Sequence, residues 1–175
     1  MKFDEFAAKF KEFKEHWGHK KPSKRIALLV DGPNMIRSQF NVRLDDVERL
    51  LEKYGELKVA KVFLNQYASE KLIEAVSNIG FEPVVTTTDA DVPMALAAFE
   101  LIMNANIDVI ALMTRDADLQ HVLTKAKAHG KETILIAADE QLSASLKNTA
   151  DRFILVGNAP AIQRPIPSSD IEIKD

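Results

Sequence analysis

The sequence predicts an α/β domain in three layers, with a mainly parallel β-sheet and helices on both of its faces. The first observation behind this prediction is that residues 26–30 are all apolar and lead directly into Asp31. An unbroken apolar run is typical of a strand buried on both faces, as in a parallel sheet. The second observation is that strand-like and helix-like segments alternate along the chain, which favours right-handed βαβ units of the Rossmann-like type.

Turn residues and helix breakers divide the rest of the domain. Gly32 and Pro33 predict a turn after the first strand, Ser69 is typical of a helix N-cap, and Gly80 is typical of a helix end. Further strands are predicted at residues 59–64, 81–87, 107–114, 132–137 and 153–156, the last of them at an edge of the sheet. Helices are predicted at residues 45–54, 69–79, 92–104, 118–129 and 141–148.

Two segments flank this domain, which we assign to residues 26–157. Residues 1–18 predict an amphipathic helix, because their aromatic side chains recur every three or four positions and so share one face. We expect this face to pack on a core helix or on the same helix of a second copy, and we favour the homodimer. Residues 19–25 form a basic linker, and residues 158–175 form a tail with three prolines that we expect to be loose. The aromatic residues of the helix are Phe3, Phe6, Phe10, Phe13 and Trp17.

Composition limits the classes of function. The chain has 175 residues and a formal net charge of −3, so any nucleic-acid contact must come from a local basic patch. The absence of cysteine excludes disulfides, thiol nucleophiles and zinc–thiolate sites. No apolar run is long enough for a membrane span, and the charged start does not resemble a signal peptide. We therefore expect a cytoplasmic protein that does not associate with membranes.

Four acidic residues are predicted to meet at one edge of the sheet. Asp31 follows the first strand, Asp91 begins a helix, and Asp116 and Asp118 follow the fourth strand. Strand ends of a parallel sheet face a common crevice, and clustered carboxylates repel one another unless a cation neutralises them. Oxygen ligands without thiolates or paired histidines favour Mg²⁺ or Mn²⁺. An alternative for Asp91 and Asp118 is that each acts only as a helix cap.

Other polar residues near these acids are candidates for contacts to a ligand. Asn34 suits a hydrogen bond to a carboxylate, a metal-bound water or a phosphate, and Thr114 suits a similar role. Arg115 suits a phosphate oxygen. Arg37 and Arg43 follow the first strand on the same side, so we expect them to contact RNA if the ligand is RNA.

An ordered set of motifs resembles the NYN domain, in the LabA-like branch of the PIN-like nuclease superfamily. The set comprises Asp31-Gly-Pro-Asn34, Asp89-Ala-Asp91-Val, Thr114-Arg-Asp116-Ala-Asp118-Leu, Ser143-Ala-Ser-Leu146 and Ala150-Asp151-Arg-Phe. The resemblance implies that the first and fourth strands are adjacent, that Mg²⁺ or Mn²⁺ is bound, and that RNA phosphodiester bonds are cleaved. It matches the four acids to the catalytic and metal-binding positions and Asn34 to the motif asparagine.

The chain departs from this family pattern at two points, which keeps a second function open. Ala97 stands where many relatives carry a further acid, and Thr114-Arg115 precedes Asp116 where Ser-Gly is common. The leading hypothesis is a metal-dependent ribonuclease. The alternative is a non-catalytic RNA-binding or regulatory module. A phosphatase with an Asp-x-Asp motif after the first strand is disfavoured, because Pro33 occupies the second acidic position.

Overall fold

The sheet has six strands, all parallel, in the order β3-β2-β1-β4-β5-β6. The computed structural model describes residues 23–36, 42–87, 89–139 and 141–156. The predicted amino-terminal helix, most of the basic linker, the tail and Arg37 lie outside these residues. The strands are β1 (Arg25–Asp31), β2 (Glu56–Asn65), β3 (Glu82–Thr86), β4 (Val109–Met113), β5 (Glu132–Ala137) and β6 (Arg152–Leu155).

Helices cover both faces of this sheet, so the predicted three-layer fold is confirmed. Three helices pack on one face with one apolar cluster, and three pack on the other face with a second cluster. The first group is α1 (Gly32–Met35), α2 (Leu44–Leu51) and α3 (Glu70–Asn78). The second group is α4 (Asp91–Met103), α5 (Gln120–Ala128) and α6 (Ala144–Thr149). In the described part of the chain, no helix is long and apolar enough to cross a membrane.

Strand β1 lies in the middle of the sheet and fixes the position of the functional edge. Its apolar residues 26–30 are completely buried between β2 and β4. The first and fourth strands are thus neighbours, as the family resemblance implied. The chain runs outward from β1 through β2 and β3, and outward from β4 through β5 and β6, so the strand order reverses between β1 and β4. In open α/β sheets a ligand crevice forms at such a reversal, beyond the carboxyl ends of the strands.

Most of the predicted helix signals are confirmed. The Ser69 hydroxyl accepts a hydrogen bond from the backbone N–H of Leu72 at 3.3 Å, which caps α3. Gly80 and Gly130 follow α3 and α5 with φ of +83° and +73°, a backbone conformation that favours glycine. At Gly55, between α2 and β2, a Cβ atom would lie 2.1 Å from the Lys24 carbonyl oxygen. This glycine is required by the close approach of two backbone segments.

Two predicted segments differ from the structure near the carboxyl edge. Residues 32–35 form the single-turn helix α1 where a turn was expected, because the Asp31 carboxylate accepts a hydrogen bond from the Asn34 N–H. The helix predicted from residue 118 begins instead with a 3₁₀ turn at Ala117–Leu119. The Asp116 carboxylate accepts from the Asp118 N–H at 2.8 Å and so caps this tighter turn. The sequence suggested Asp118 as a possible helix cap. In the structure Asp116 takes this role.

The start of the described chain is fixed to the opposite, amino edge of the sheet. The Arg25 guanidinium donates to both carboxylate oxygens of Asp108, at 2.8 and 2.9 Å, and to the Ala105 carbonyl and the Asn106 side chain, each at 2.9 Å. The hydrogen bond from Arg25 holds the pKa of Asp108 well below its usual range. Ser23, the first described residue, thus lies near the turn that joins α4 to β4.

Candidate active site

An acidic cavity lies at the carboxyl edge of the sheet, beside the reversal of strand order. Its volume is about 210 Å³. Polar side chains from the ends of β1 and β2, from α1, from the start of α4 and from the loop after β4 line it. These residues are Asp31, Asn34, Asn65, Asp89, Asp91 and Asp116. Three of the four acids predicted from the sequence therefore surround one cavity.

The carboxylate of Asp31 is almost completely buried, with 1% of its surface exposed, and three donors hold it in place. The backbone N–H of Asn34 lies 3.3 Å from Oδ1, and the Asn34 amide Nδ2 lies 2.7 Å from Oδ2. The Thr114 hydroxyl donates to the same Oδ2 at 2.8 Å. A buried carboxylate requires such donors, because desolvation of an unpaired charge is costly. Asp31 consequently also holds α1 and Thr114 in place, which its position at the end of an apolar strand did not predict.

Thr114 connects the first strand to the loop that carries Asp116. Its side chain is fully buried, and its hydroxyl both donates to Asp31 and accepts from the backbone N–H of Asp116 at 3.0 Å. The hydroxyl has one proton to donate and lone pairs to accept with, so one group serves both acids. This contact fixes the loop after β4 relative to the end of β1.

Asp91 and Asp116 form a pair of carboxyl groups within hydrogen-bonding reach of each other. Burial raises the pKa of Asp91 above its ordinary value, and the negative charges of Asp116, Asp31 and Asp89, with the hydrogen bond to Asp116, raise it further. Asp91 is the first residue of α4, yet it does not cap the helix through its side chain. The capping role considered for Asp91 is therefore not what holds it there.

The remaining candidates lie outside the lining of this cavity. Asp118 is exposed on the 3₁₀ turn and does not line the cavity. Arg43 is exposed and lies 3.7 Å from Asp45. Arg115 forms an ion pair with Asp139 at 3.2 Å, between the ends of β4 and β5. The side chain of Arg115 thus lies at the functional edge, held by an acid that follows β5.

Two residues that line the cavity, Asn65 and Asp89, were not predicted as site residues from the sequence. Asn65 is the last residue of β2, which neighbours β1, so its carboxyl end reaches the same edge. The signal was a polar residue directly after the apolar segment 59–64. Asp89 was visible in the Asp89-Ala-Asp91 motif, but only the packing at the start of α4 brings it to the cavity wall.

The donor atoms of the cavity suit a small hard cation that keeps part of its water shell. In the four described stretches of the chain, no three histidine or acidic side chains are placed so that they could hold a metal ion among themselves. The carboxylate ligands come from two paired residues, Asp91 and Asp116. The amides of Asn34 and Asn65 lie nearby. Mg²⁺ is usually held in this way, by one or two carboxylates, waters and substrate phosphates. The residues therefore fit a hydrated divalent ion and do not fit a closed protein cage.

The fold and this edge define a class of protein. The family profile of the NYN domain matches residues 25–157, which includes all six strands and every residue of the cavity. The chain belongs to the NYN domain family, a group within the PIN-like nuclease superfamily.

The chain is also similar to individual proteins in sequence and in structure. An uncharacterised protein of Methanocaldococcus jannaschii is 49% identical over 145 residues, which is 83% of this chain. The match spans 60% of the length of that relative. A crystal structure of a protein of unknown function from Vibrio parahaemolyticus superposes with a TM-score of 0.71 at 18% identity. That superposition covers 82% of this chain and 99% of the other, and it supports the fold alone.

Proposed function

We propose that this protein is a ribonuclease that hydrolyses RNA phosphodiester bonds with Mg²⁺ or Mn²⁺ bound at the acidic cavity. The observation that carries the proposal is the Asp91–Asp116 pair beside Asp31, three acids drawn from separate parts of the chain into one pocket. Such crowding disfavours the charged carboxylates, and a bound cation would offset the repulsion. Membership of the NYN family supports RNA as the substrate.

The proposal assigns roles to five of the six polar residues of the cavity and to Thr114. Asp91 and Asp116 hold the ion, and Asp31 adds negative charge from a fixed position. A bound divalent ion would lower the pKa of a coordinated water and offset charge on the phosphoryl group. Thr114 positions Asp31 and the Asp116 loop through its two hydrogen bonds. The amides of Asn34 and Asn65 offer donors to phosphate or water, and Asp118 is left with no direct role.

A second candidate function is a non-catalytic RNA-binding or regulatory module. It is favoured by Ala97, because this position carries no carboxylate that could bind a metal ion. The Ala97 side chain is partly buried against the apolar cluster beneath α4. Glu100, the next acid along this helix, is exposed. Under this alternative the protein binds RNA at the same edge but leaves it intact.

A cleavage assay separates these two functions. We expect the full-length protein to cut end-labelled single-stranded RNA with Mn²⁺ or Mg²⁺ and to lose this activity in EDTA. An Asp91→Asn preparation, purified in parallel, controls for a contaminating nuclease. Equal cleavage by both preparations would assign the activity to a contaminant. RNA binding without cleavage in either metal would support the non-catalytic module.

Arg115 provides a prediction about RNA binding at this edge. In EDTA, where cleavage is suppressed, Arg115→Ala should weaken binding and reduce the slope of log K against log salt by about 0.7, the value for one lost phosphate contact on a single strand. Asp139→Asn should strengthen binding, because it releases Arg115 from its ion pair. Arg49→Ala is the matched control, since it removes the same charge from an exposed ion pair with Asp46 on α2. An unchanged slope in Arg115→Ala would place the RNA elsewhere.

A further inference from the structure

Helix α4 presents an apolar stripe to solvent on the side away from its core contacts. Its side chains recur at intervals of four, three and four residues, which places them within one narrow sector of the helix. The exposed fractions are 68% for Val92, 63% for Leu96, 46% for Phe99 and 57% for Met103. Scattered exposed apolar residues are common, but a row along one helix face marks a contact surface.

The chain enters the domain next to one end of this stripe. The Arg25 guanidinium is hydrogen-bonded to Ala105, Asn106 and Asp108, which follow directly after Met103 at the end of α4. Ser23, the first described residue, therefore lies near the carboxyl-terminal end of α4. Five residues, 18–22, separate this point from Trp17 and span up to about 17 Å when extended.

We propose that residues 3–17 of the same chain form a helix that docks on the α4 stripe. Their aromatic side chains recur with the same alternation of three and four residues, which suits side-by-side packing of two helices. From Phe3 to Trp17 a helix measures about 21 Å, and from Val92 to Met103 it measures about 17 Å, so the two stripes match in length. Docking is parallel, with Trp17 beside Met103 and the first phenylalanines beside Val92.

The contacts that α4 makes leave the stripe open. The helix α4 packs on β1 and β4 and against α5, and its buried residues are Met94, Ala98, Leu101 and Ile102. Because the stripe lies on the other side of the helix, the docked segment lies over the outer surface of α4. The short linker favours docking within one chain over the exchange of this segment between two copies, which the sequence had suggested.

Fluorescence of the full-length protein tests this docking directly, because Trp17 is the only tryptophan. We expect a monomer by light scattering whose emission is blue-shifted relative to the urea-unfolded chain and unaffected by dilution. Leu96→Glu/Phe99→Glu should abolish the blue shift and raise acrylamide quenching. Phe6→Glu/Phe10→Glu should also abolish the blue shift and raise acrylamide quenching, although both substitutions lie outside the domain of residues 26–157. Val85→Glu, at a half-exposed valine of β3 paired with Leu64 of the opposite cluster, should leave the emission unchanged.

Three results would overturn the proposal. Solvent-exposed Trp17 in the unmodified protein would show that the segment does not dock. A blue shift that survives Leu96→Glu/Phe99→Glu would place the segment on another surface. A dimer whose dilution exposes Trp17 would show that a second copy, and not the same chain, covers the stripe.

Discussion

Asp91→Asn should reduce RNA cleavage by about 100-fold or more, equivalent to about 2.7 kcal/mol of transition-state stabilisation. The same variant should bind Mn²⁺ at least about tenfold more weakly, or about 1.4 kcal/mol. Asparagine keeps the size of the side chain but removes the charge from the Asp91–Asp116 pair. Calorimetry with Mn²⁺ and the cleavage assay measure the two effects separately. Cleavage at the unmodified rate would remove Asp91 from the site.

The same substitution should stabilise the metal-free protein at neutral pH. The pKa of Asp91 is raised in the fold by burial first and then by its acidic neighbours. An acid with a raised pKa favours folding below its unfolded pKa, about 3.9, and loses that contribution as pH rises through its folded pKa. Ionised Asp91 therefore opposes folding at pH 7 in EDTA. The gain in stability of Asp91→Asn, measured by urea unfolding, should shrink as the pH is lowered below 4.

Asp31→Asn supplies the matched comparison, because the same chemical change should have the opposite effect on stability. Asp31 accepts hydrogen bonds from Asn34 and Thr114, and hydrogen bonds to a charged group contribute about 1.5–3 kcal/mol. Loss of this acceptor should destabilise the protein in EDTA while also weakening Mn²⁺ binding. If Asp91→Asn and Asp31→Asn destabilised the protein equally, the inference that charge crowding at Asp91 opposes folding would be wrong.

These contrasts show what the sequence predicts about the site and where it stops. Apolar runs and helix breakers predicted all six strands, and the carboxyl ends of parallel strands necessarily share an edge. That reasoning selected Asp31, Asp91 and Asp116. It could not separate Asp116 from Asp118, because both follow the same strand and only the hydrogen bond between them decides which one caps the turn.

The residues that were missed depend on contacts between distant segments. Asn65 reaches the cavity because β2 is placed beside β1, and a polar residue after a strand is common in any sheet. The ion pair of Arg115 with Asp139 joins the ends of two strands whose adjacency follows only from the strand order. Periodicity predicts which residues form a helix or strand, but not which loop side chains touch.

The role of Thr114 leads to the second large effect. Thr114→Val keeps the shape of the side chain but removes the hydroxyl that donates to Asp31 and accepts from the Asp116 N–H. The buried Asp31 carboxylate and the partly buried Asp116 N–H then lose this partner, which should cost about 2–4 kcal/mol of stability. Thr114→Ser keeps the hydroxyl and loses one methyl group, at about 1 kcal/mol. Urea unfolding of the three proteins measures the difference.

A second threonine, Thr133, makes similar hydrogen bonds to an aspartate, so its substitution is a control for the functional role of Thr114. Thr133 is fully buried, its hydroxyl donates to Asp151 at 2.8 Å, and it accepts from the Asp151 N–H at 3.0 Å. This pair joins β5 to β6 at the amino edge, away from the cavity. Thr133→Val should therefore destabilise the protein about as much as Thr114→Val. Only Thr114→Val should also weaken Mn²⁺ binding and slow cleavage under conditions where both variants are folded, because only it releases the Asp116 loop. Equal losses of Mn²⁺ affinity in the two variants would reduce the role of Thr114 to stability alone.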